Sequence, residues 1–276
     1  MLNQNPTPTP YPEVNLVLNA LLPEVQAILG EQFVGLYLYG SLAYGGFDRD
    51  SDVDFVVVTQ GELSAATFEA LQTMHERIST CNSWCATQLE GTYIPKQALR
   101  TYDPLRALHL HIDRGPGERL HRMQIDDPKL SRAWWGGWVL LRAVLRESGV
   151  LLAGAAPAVL IDPVSPDELK QASLAVLDGW AGPLLDDPGQ IKGRGYQSYC
   201  VLTLCRILYT LETGKITSKQ TAACWAKERL GEPRTTLIAR AMDGRHQPDA
   251  EAFQEDVNGT LEFVRYTLEH SQALPG

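Results

Sequence analysis

Two short apolar runs, residues 33–39 and 53–58, bracket the segment GSLAYGGFDRDSDVD at 40–54, and this arrangement constrains the fold more than any other feature of the chain. Both runs are rich in Val, Leu, Phe and Tyr and have the length of buried strands. The loop between them contains Gly40, Ser41, Gly45 and Gly46. Glycine tolerates positive φ and lets the backbone come close to a phosphate. A short helix after such a loop would aim its first N–H groups at an anion, and the Ser41 hydroxyl adds a donor.

Asp52 and Asp54 stand two apart at the start of the second run. Side chains alternate faces along a strand, so both carboxylates point the same way. Held together they repel unless a cation lies between them, and hard oxygen ligands with a phosphate co-ligand suit Mg²⁺. Asp48 and Asp50 need not join this pair. A hairpin whose Asp and Ser residues merely serve a turn is the competing reading. A third carboxylate, Glu90, sits between Leu89 and Tyr93, an apolar strand context in which a charge needs a partner or an exposed face.

Around this core the periodicity predicts a helix over 13–30 that stops at Gly30, a second over 65–80, and a β-rich segment from Trp84 to Ile94. From 129 onward the pattern is helical, over 129–148, 166–180, 195–213, 217–230 and 248–271, with prolines at the breaks. Residues 1–12, rich in Pro, Thr and Asn, read as a mobile arm, 13–128 as one domain and 129–276 as a helical one. Trp134, Trp135 and Trp138 read as helix core or packing between domains. His109 and His111 alternate on a possible strand, without the Cys or carboxylate spacing of a zinc site.

A chain of 276 residues with a formal charge of −9 has room for one large or two ordinary domains and is a poor match for a nucleic-acid backbone. An acidic protein suits a cationic small molecule. Cys81, Cys85, Cys200, Cys205 and Cys224 lack metal-ligand spacing and read as reduced core residues of a cytoplasmic protein. The opening MLNQNPTPTPYPE has neither the positive region nor the apolar core of a signal peptide, and no run is long enough to span a membrane.

GSLAYGGFDRDSDVDFVVV resembles the Gly-Ser and Asp-x-Asp signature of the DNA polymerase beta-like nucleotidyltransferase superfamily. LEGTYIP at 89–95 resembles the strand that carries the third carboxylate. LLAGAAPAVLIDPVSPDEL, and VLTLCRILYTLETGKITSKQTAACWAKERL at 201–230, resemble the C-terminal helical domain of the streptomycin/spectinomycin adenylyltransferases, so the similarity runs over 15–270. The Gly-Ser-Asp-x-Asp motif identifies only the superfamily. The TGKIxxK segment after an LTLxR helix is more specific and narrows the resemblance to aminoglycoside adenylyltransferases.

The resemblance implies an α/β plus all-α chain: an N-terminal polymerase beta-like nucleotidyltransferase domain, a mixed sheet with helices, and a C-terminal helical bundle. It implies transfer of AMP from ATP, the co-substrate, to a hydroxyl of a cationic antibiotic, with pyrophosphate released. Asp52 and Asp54 would hold two Mg²⁺ ions. Glu90 would complete the carboxylate set and act as the base that takes the hydroxyl proton. Gly40 and Ser41 would bind the β- and γ-phosphates, Arg206 and Lys219 would neutralise the triphosphate, and Tyr209 would pack on the nucleotide. The structural alternatives are a snorkelling helix Arg and an ordinary surface Lys.

On the drug side, Arg119 stands where streptomycin-accepting relatives look to have a Trp. Asp186 and Asp187 lie upstream of the acidic position, with Tyr196 nearer to it. Spectinomycin is therefore the expected acceptor rather than streptomycin, and Asp186 and Asp187 read equally as loop acids before Pro188. Two other functions remain open: a nucleotidyltransferase that modifies a protein or another small molecule, and a non-catalytic nucleotide-binding regulator. The simplest assembly is a monomer, with neither nucleic acid nor membrane as a partner.

Overall fold

Pro12 opens the first helix, α1 (Pro12–Leu29), where its missing N–H costs nothing. Buried Val14, Val17, Leu18, Leu21 and Val25 recur at helical spacing along it. The computed structural model describes residues 7–101, 109–115, 117, 119–123 and 128–273. Residues 1–6 of the expected arm lie outside these. Its later part is held in place, because Thr9 and Asn15 bond reciprocally: Thr9 N–H donates to Asn15 Oδ1 at 3.0 Å and Asn15 Nδ2 to the Thr9 carbonyl at 2.7 Å.

The chain divides into two compact units, Met1–Ile125 with Val144–Pro163, and Asp126–Ala143 with Val164–Gly276. In the first, a sheet is built from β1 (Phe33–Leu38), β2 (Val53–Thr59), β3 (Leu89–Pro95), β4 (His109–Ile112), β5 (His121–Met123) and β6 (Val150–Gly154). Among the described residues its order is β5-β4-β3-β2-β1-β6. Among the described residues only β2 and β3 run parallel, which requires a crossover, and α3 (Ala65–Ile78) supplies it. Val53, Phe55 and Val57 share an apolar core with α1 and α3. By strand alternation, the intervening Asp54 faces the opposite side of the sheet, and so does Asp52 just before the strand.

His75 of α3 lies inside this core. Its Nε2 meets the Tyr93 hydroxyl at 2.8 Å and its ring stacks on Phe55, with centroids 5.9 Å apart. Burial holds its pKa down at about 4. The unfolded chain therefore binds a proton near pH 6.5 that the folded protein refuses until about pH 4. The stability involved is complete above pH 6.5 and is lost as pH falls through that window, by up to ~3 kcal/mol. Urea unfolding at pH 7 and at pH 4.5 checks this, and His75→Gln should flatten the dependence.

The edge strand β6 is absent from the sequence expectations. It pairs with β1 because Gly154, at φ +101, allows close approach: a Cβ there would lie 2.2 Å from the Val34 carbonyl oxygen. The Tyr37 hydroxyl then donates to the Ala155 carbonyl at 2.7 Å.

The second unit is helical. Its elements are α7 (Pro166–Asp186), α8 (Arg194–Thr213), α9 (Lys219–Arg229), α10 (Arg234–Gly244) and α11 (Gln254–Ala273), with the first part of α5 (Pro128–Ser148). Ser165 and Glu168 form a capping box at the start of α7, and Ser218 caps α9. Buried Cys200, Val201, Leu204, Cys205, Leu208 and Leu211 make α8 the axis of this core. Helix α10 is a further addition to the expected pattern, and Trp138 is buried as expected. All five cysteines are free, and Cys224 is exposed, unlike the core position expected of it. Among the described residues no helix is long and apolar enough to cross a membrane.

Candidate functional site

The loop after β1 lies against β2, with the Tyr39 amide donating to the Asp54 carbonyl at 3.2 Å. The next residue, Gly40, has φ +62, and a Cβ there would lie 1.9 Å from Asp54 Oδ2. Glycine is therefore required twice, for the backbone angle and for the space that the carboxylate takes. The helical turn α2 (Gly40–Tyr44) starts here and ends at left-handed Gly45. Ser41 Oγ is buried and has no hydrogen-bond partner in the protein, as expected of a donor kept for a ligand.

The parallel register sets Asp54 beside Glu90, so their side chains share one face. Asp52 precedes Asp54 by two residues and lies on the same side. Burial first, and then the charges of Asp54, Glu90 and Asp52, push the Tyr39 phenol pKa well above its ordinary value. Asp48 serves the turn instead, its Oδ1 accepting from Ser51 Oγ at 2.8 Å and from the Asp50 amide at 3.2 Å.

Among the described residues no three His, Cys, Asp or Glu side chains are gathered tightly enough to cage an ion by themselves. Magnesium is usually bound through one or two carboxylates and completes its shell with phosphate oxygens and water. Asp52 and Asp54 beside an unsatisfied serine hydroxyl are such a donor set. Asp52 is ion-paired with Arg114, from the turn after β4.

In the helical unit, Tyr199, Thr203 and Arg206 fall on one stripe of α8. Arg206 Nη2 lies 3.5 Å from Thr203 Oγ1, and its Nε is buried without a partner. Lys219, the first residue of α9, holds its ammonium 5.3 Å above the Tyr199 ring. Tyr196 stacks on Tyr199, with centroids 5.8 Å apart, and accepts from Trp180 Nε1 at 3.3 Å. Tyr209 turns to Trp225 instead, edge to face at 5.4 Å.

Asp186 is the last residue of α7, and Asp187 caps the following turn by accepting from the Gly189 amide at 3.0 Å. Arg119 belongs to the first unit, where its Nε lies 3.9 Å from Glu76 of α3. The structure thus gathers Gly40, Ser41, Asp52, Asp54 and Glu90 in one unit, and Tyr196, Lys219 and the Arg206 stripe in the other.

Three residues join these groups that carry no sequence motif: Tyr39, Arg114 and Tyr199. Tyr39 is legible only as the end of a strand. Arg114 precedes a glycine in a loop with no motif of its own. Tyr199 follows Tyr196 by three residues, the spacing of neighbours on a helix, and that is the available signal.

Residues 159–270 match the model of the aminoglycoside adenylyltransferase C-terminal domain, and residues 19–102 match that of a nucleotidyltransferase domain. A spectinomycin 9-adenylyltransferase of Campylobacter jejuni is 27% identical over 261 residues, covering 91% of this chain and 94% of that protein. An aminoglycoside (3'') (9) adenylyltransferase of Escherichia coli is 27% identical over 265 residues, covering 92% and 93%. The crystal structure of spectinomycin adenyltransferase AAD(9) from Enterococcus faecialis, with ATP and spectinomycin, matches with a TM-score of 0.65 at 18% identity, over 92% of this chain and 98% of that one. At that identity the match shows a shared fold.

Proposed function

With a nucleotidyltransferase domain followed by the C-terminal domain of the aminoglycoside adenylyltransferases, the chain belongs to that family, and we propose that it transfers AMP from ATP to a hydroxyl of spectinomycin, releasing pyrophosphate. The observation that carries this reading is Glu90 beside Asp54 in register, on the face that Gly40 and Ser41 border.

Gly40 and Ser41 take the β- and γ-phosphates. Asp52 and Asp54 hold two Mg²⁺, which supply charge neutralisation at the phosphate oxygens when bound. Glu90 accepts the proton of the attacking hydroxyl. Arg206 and Lys219 neutralise the triphosphate, and the Tyr199 ring holds the Lys219 ammonium in place. We give Tyr209 a packing role, because its ring is already engaged with Trp225.

The net charge of −9 suits a cationic acceptor, with Tyr196 as its candidate contact. Arg119 adds a positive charge that a polycation such as streptomycin would meet, and Asp187 is occupied as a cap. Five free cysteines and a nucleotide co-substrate support a cytoplasmic place, and we take the working unit as a monomer.

The test is Mg²⁺-dependent pyrophosphate release from ATP, with each drug run separately. Spectinomycin should drive release at least ~10-fold above the drug-free rate, since a positioned base alone contributes more than that. Streptomycin should leave the rate at the drug-free level. Equal release with both drugs would overturn the reading of Arg119, and release with neither would overturn the acceptor class.

A further inference from the structure

The ion pair between Arg114 and Asp52 is not accounted for by the roles above. Arg114 lies just after β4, in a turn fixed by the Gly115 amide, which donates to the Thr87 carbonyl at 2.8 Å beside the entry to β3. Its neighbour Asp113 is turned toward two imidazoles, His111 Nε2 at 3.4 Å and His121 Nδ1 at 3.8 Å. The Arg114 guanidinium instead reaches across to the carboxylate that, on the reading above, holds a metal ion.

We propose that Arg114 is a further residue of the nucleotide site, a tethered cation that neutralises Asp52 while no metal is bound and passes to the triphosphate when the ion takes its place. This rests on the assignment of Asp52 as a metal carboxylate. Asp54 and Glu90 are neighbours in the parallel register and Asp52 lies two residues before Asp54, so three carboxylates border one face. Arg114 supplies a cation from within the same unit. A divalent ion on the carboxylate that Arg114 holds would repel the guanidinium, so binding the ion weakens the arginine's grip on Asp52.

Once released, the side chain has a second partner of matching geometry. An ion held by Asp52 would bring phosphate oxygens with it, and a guanidinium binds phosphate through paired N–H donors. The side chains are 47% and 28% exposed for Arg114 and Asp52, so the arm has room to move and the pair is a weak one. An exposed pair is worth at most about 1 kcal/mol, which limits the competition to about fivefold in metal affinity.

The test uses the full chain and Mn²⁺ as the probe, with binding measured calorimetrically without nucleotide and again with a non-hydrolysable ATP analogue. Without nucleotide, Arg114→Ala should bind Mn²⁺ about 2- to 5-fold more tightly than the parent, and Arg114→Lys should remain near the parent. With Mn²⁺ present, Arg114→Ala should bind the analogue more weakly, by about 10-fold, as expected on losing a charged hydrogen-bonding group. Unchanged or weaker Mn²⁺ affinity in Arg114→Ala, with binding abolished in Asp52→Asn, would overturn the role of Arg114 and leave the metal assignment intact. Unchanged Mn²⁺ binding in Asp52→Asn would overturn the metal assignment and this inference with it.

Discussion

Glu90→Gln is expected to lower kcat for drug adenylylation by about 10²- to 10⁴-fold, the usual contribution of a positioned general base. Nucleotide affinity should change little, because the substitution keeps the volume of the side chain and leaves Gly40, Ser41, Asp52 and Asp54 in place. The register explains why the position is suited to this role. Glu90 is the direct neighbour of Asp54 across the parallel pair, so a base lies beside the carboxylate assigned to the metal. Removing one of two adjacent negative charges should leave thermal stability unchanged or slightly higher. Steady-state kinetics, ATP titration and a melting curve on one preparation separate these effects. Full transfer activity in Glu90→Gln would place the base elsewhere.

Gly40→Ala is expected to be the most damaging conservative change in the loop. Alanine at φ +62 costs roughly 1–2 kcal/mol. Its Cβ would also lie 1.9 Å from Asp54 Oδ2, so either the carboxylate or the loop must move. A displacement of about 1 Å in a positioned group commonly costs 10²-fold in rate, and we expect at least that loss in kcat/KM. Gly45→Ala is the control. It shares a positive φ of 72° but has no atom within 4 Å of the added methyl, so it should cost stability alone and keep activity within a few fold. Equal losses of activity in the two variants would show that backbone strain, not the position of Asp54, is what matters.

The features of this fold that follow a period are legible in the amino-acid sequence. Alternation along 53–58 puts Val53, Phe55 and Val57 on the covered face and Asp54 on the other, and the structure agrees. Helical spacing locates α1, α3 and α8 to within a residue or two. Features that depend on tertiary pairing are not legible in this way. The sequence of β6 is short and glycine-bounded, and only its pairing with β1 makes it a strand. Helix α10 begins after Pro233 with Arg234, Thr235 and Thr236, a start without a clear apolar stripe. Helix α7 runs through Pro183 to Asp186 because Ser165 and Glu168 start it firmly and Leu177, Ala181 and Leu184 keep it buried.

The candidate site divides in the same way. Gly40, Ser41, Asp52 and Asp54 stand out by spacing, because one loop and one strand carry all four. Glu90 stands out only by resemblance, since a single Glu in a strand has no period to mark it. Arg114 leaves no local trace, because its partner Asp52 lies 62 residues away in the chain and no short motif links the two.

The most direct test of the central claim is the mass of spectinomycin recovered after incubation with the protein, ATP and Mg²⁺. The drug should gain one adenylyl group, with one pyrophosphate released per drug modified. Spectinomycin recovered at its original mass, under conditions in which the protein binds ATP, would contradict it.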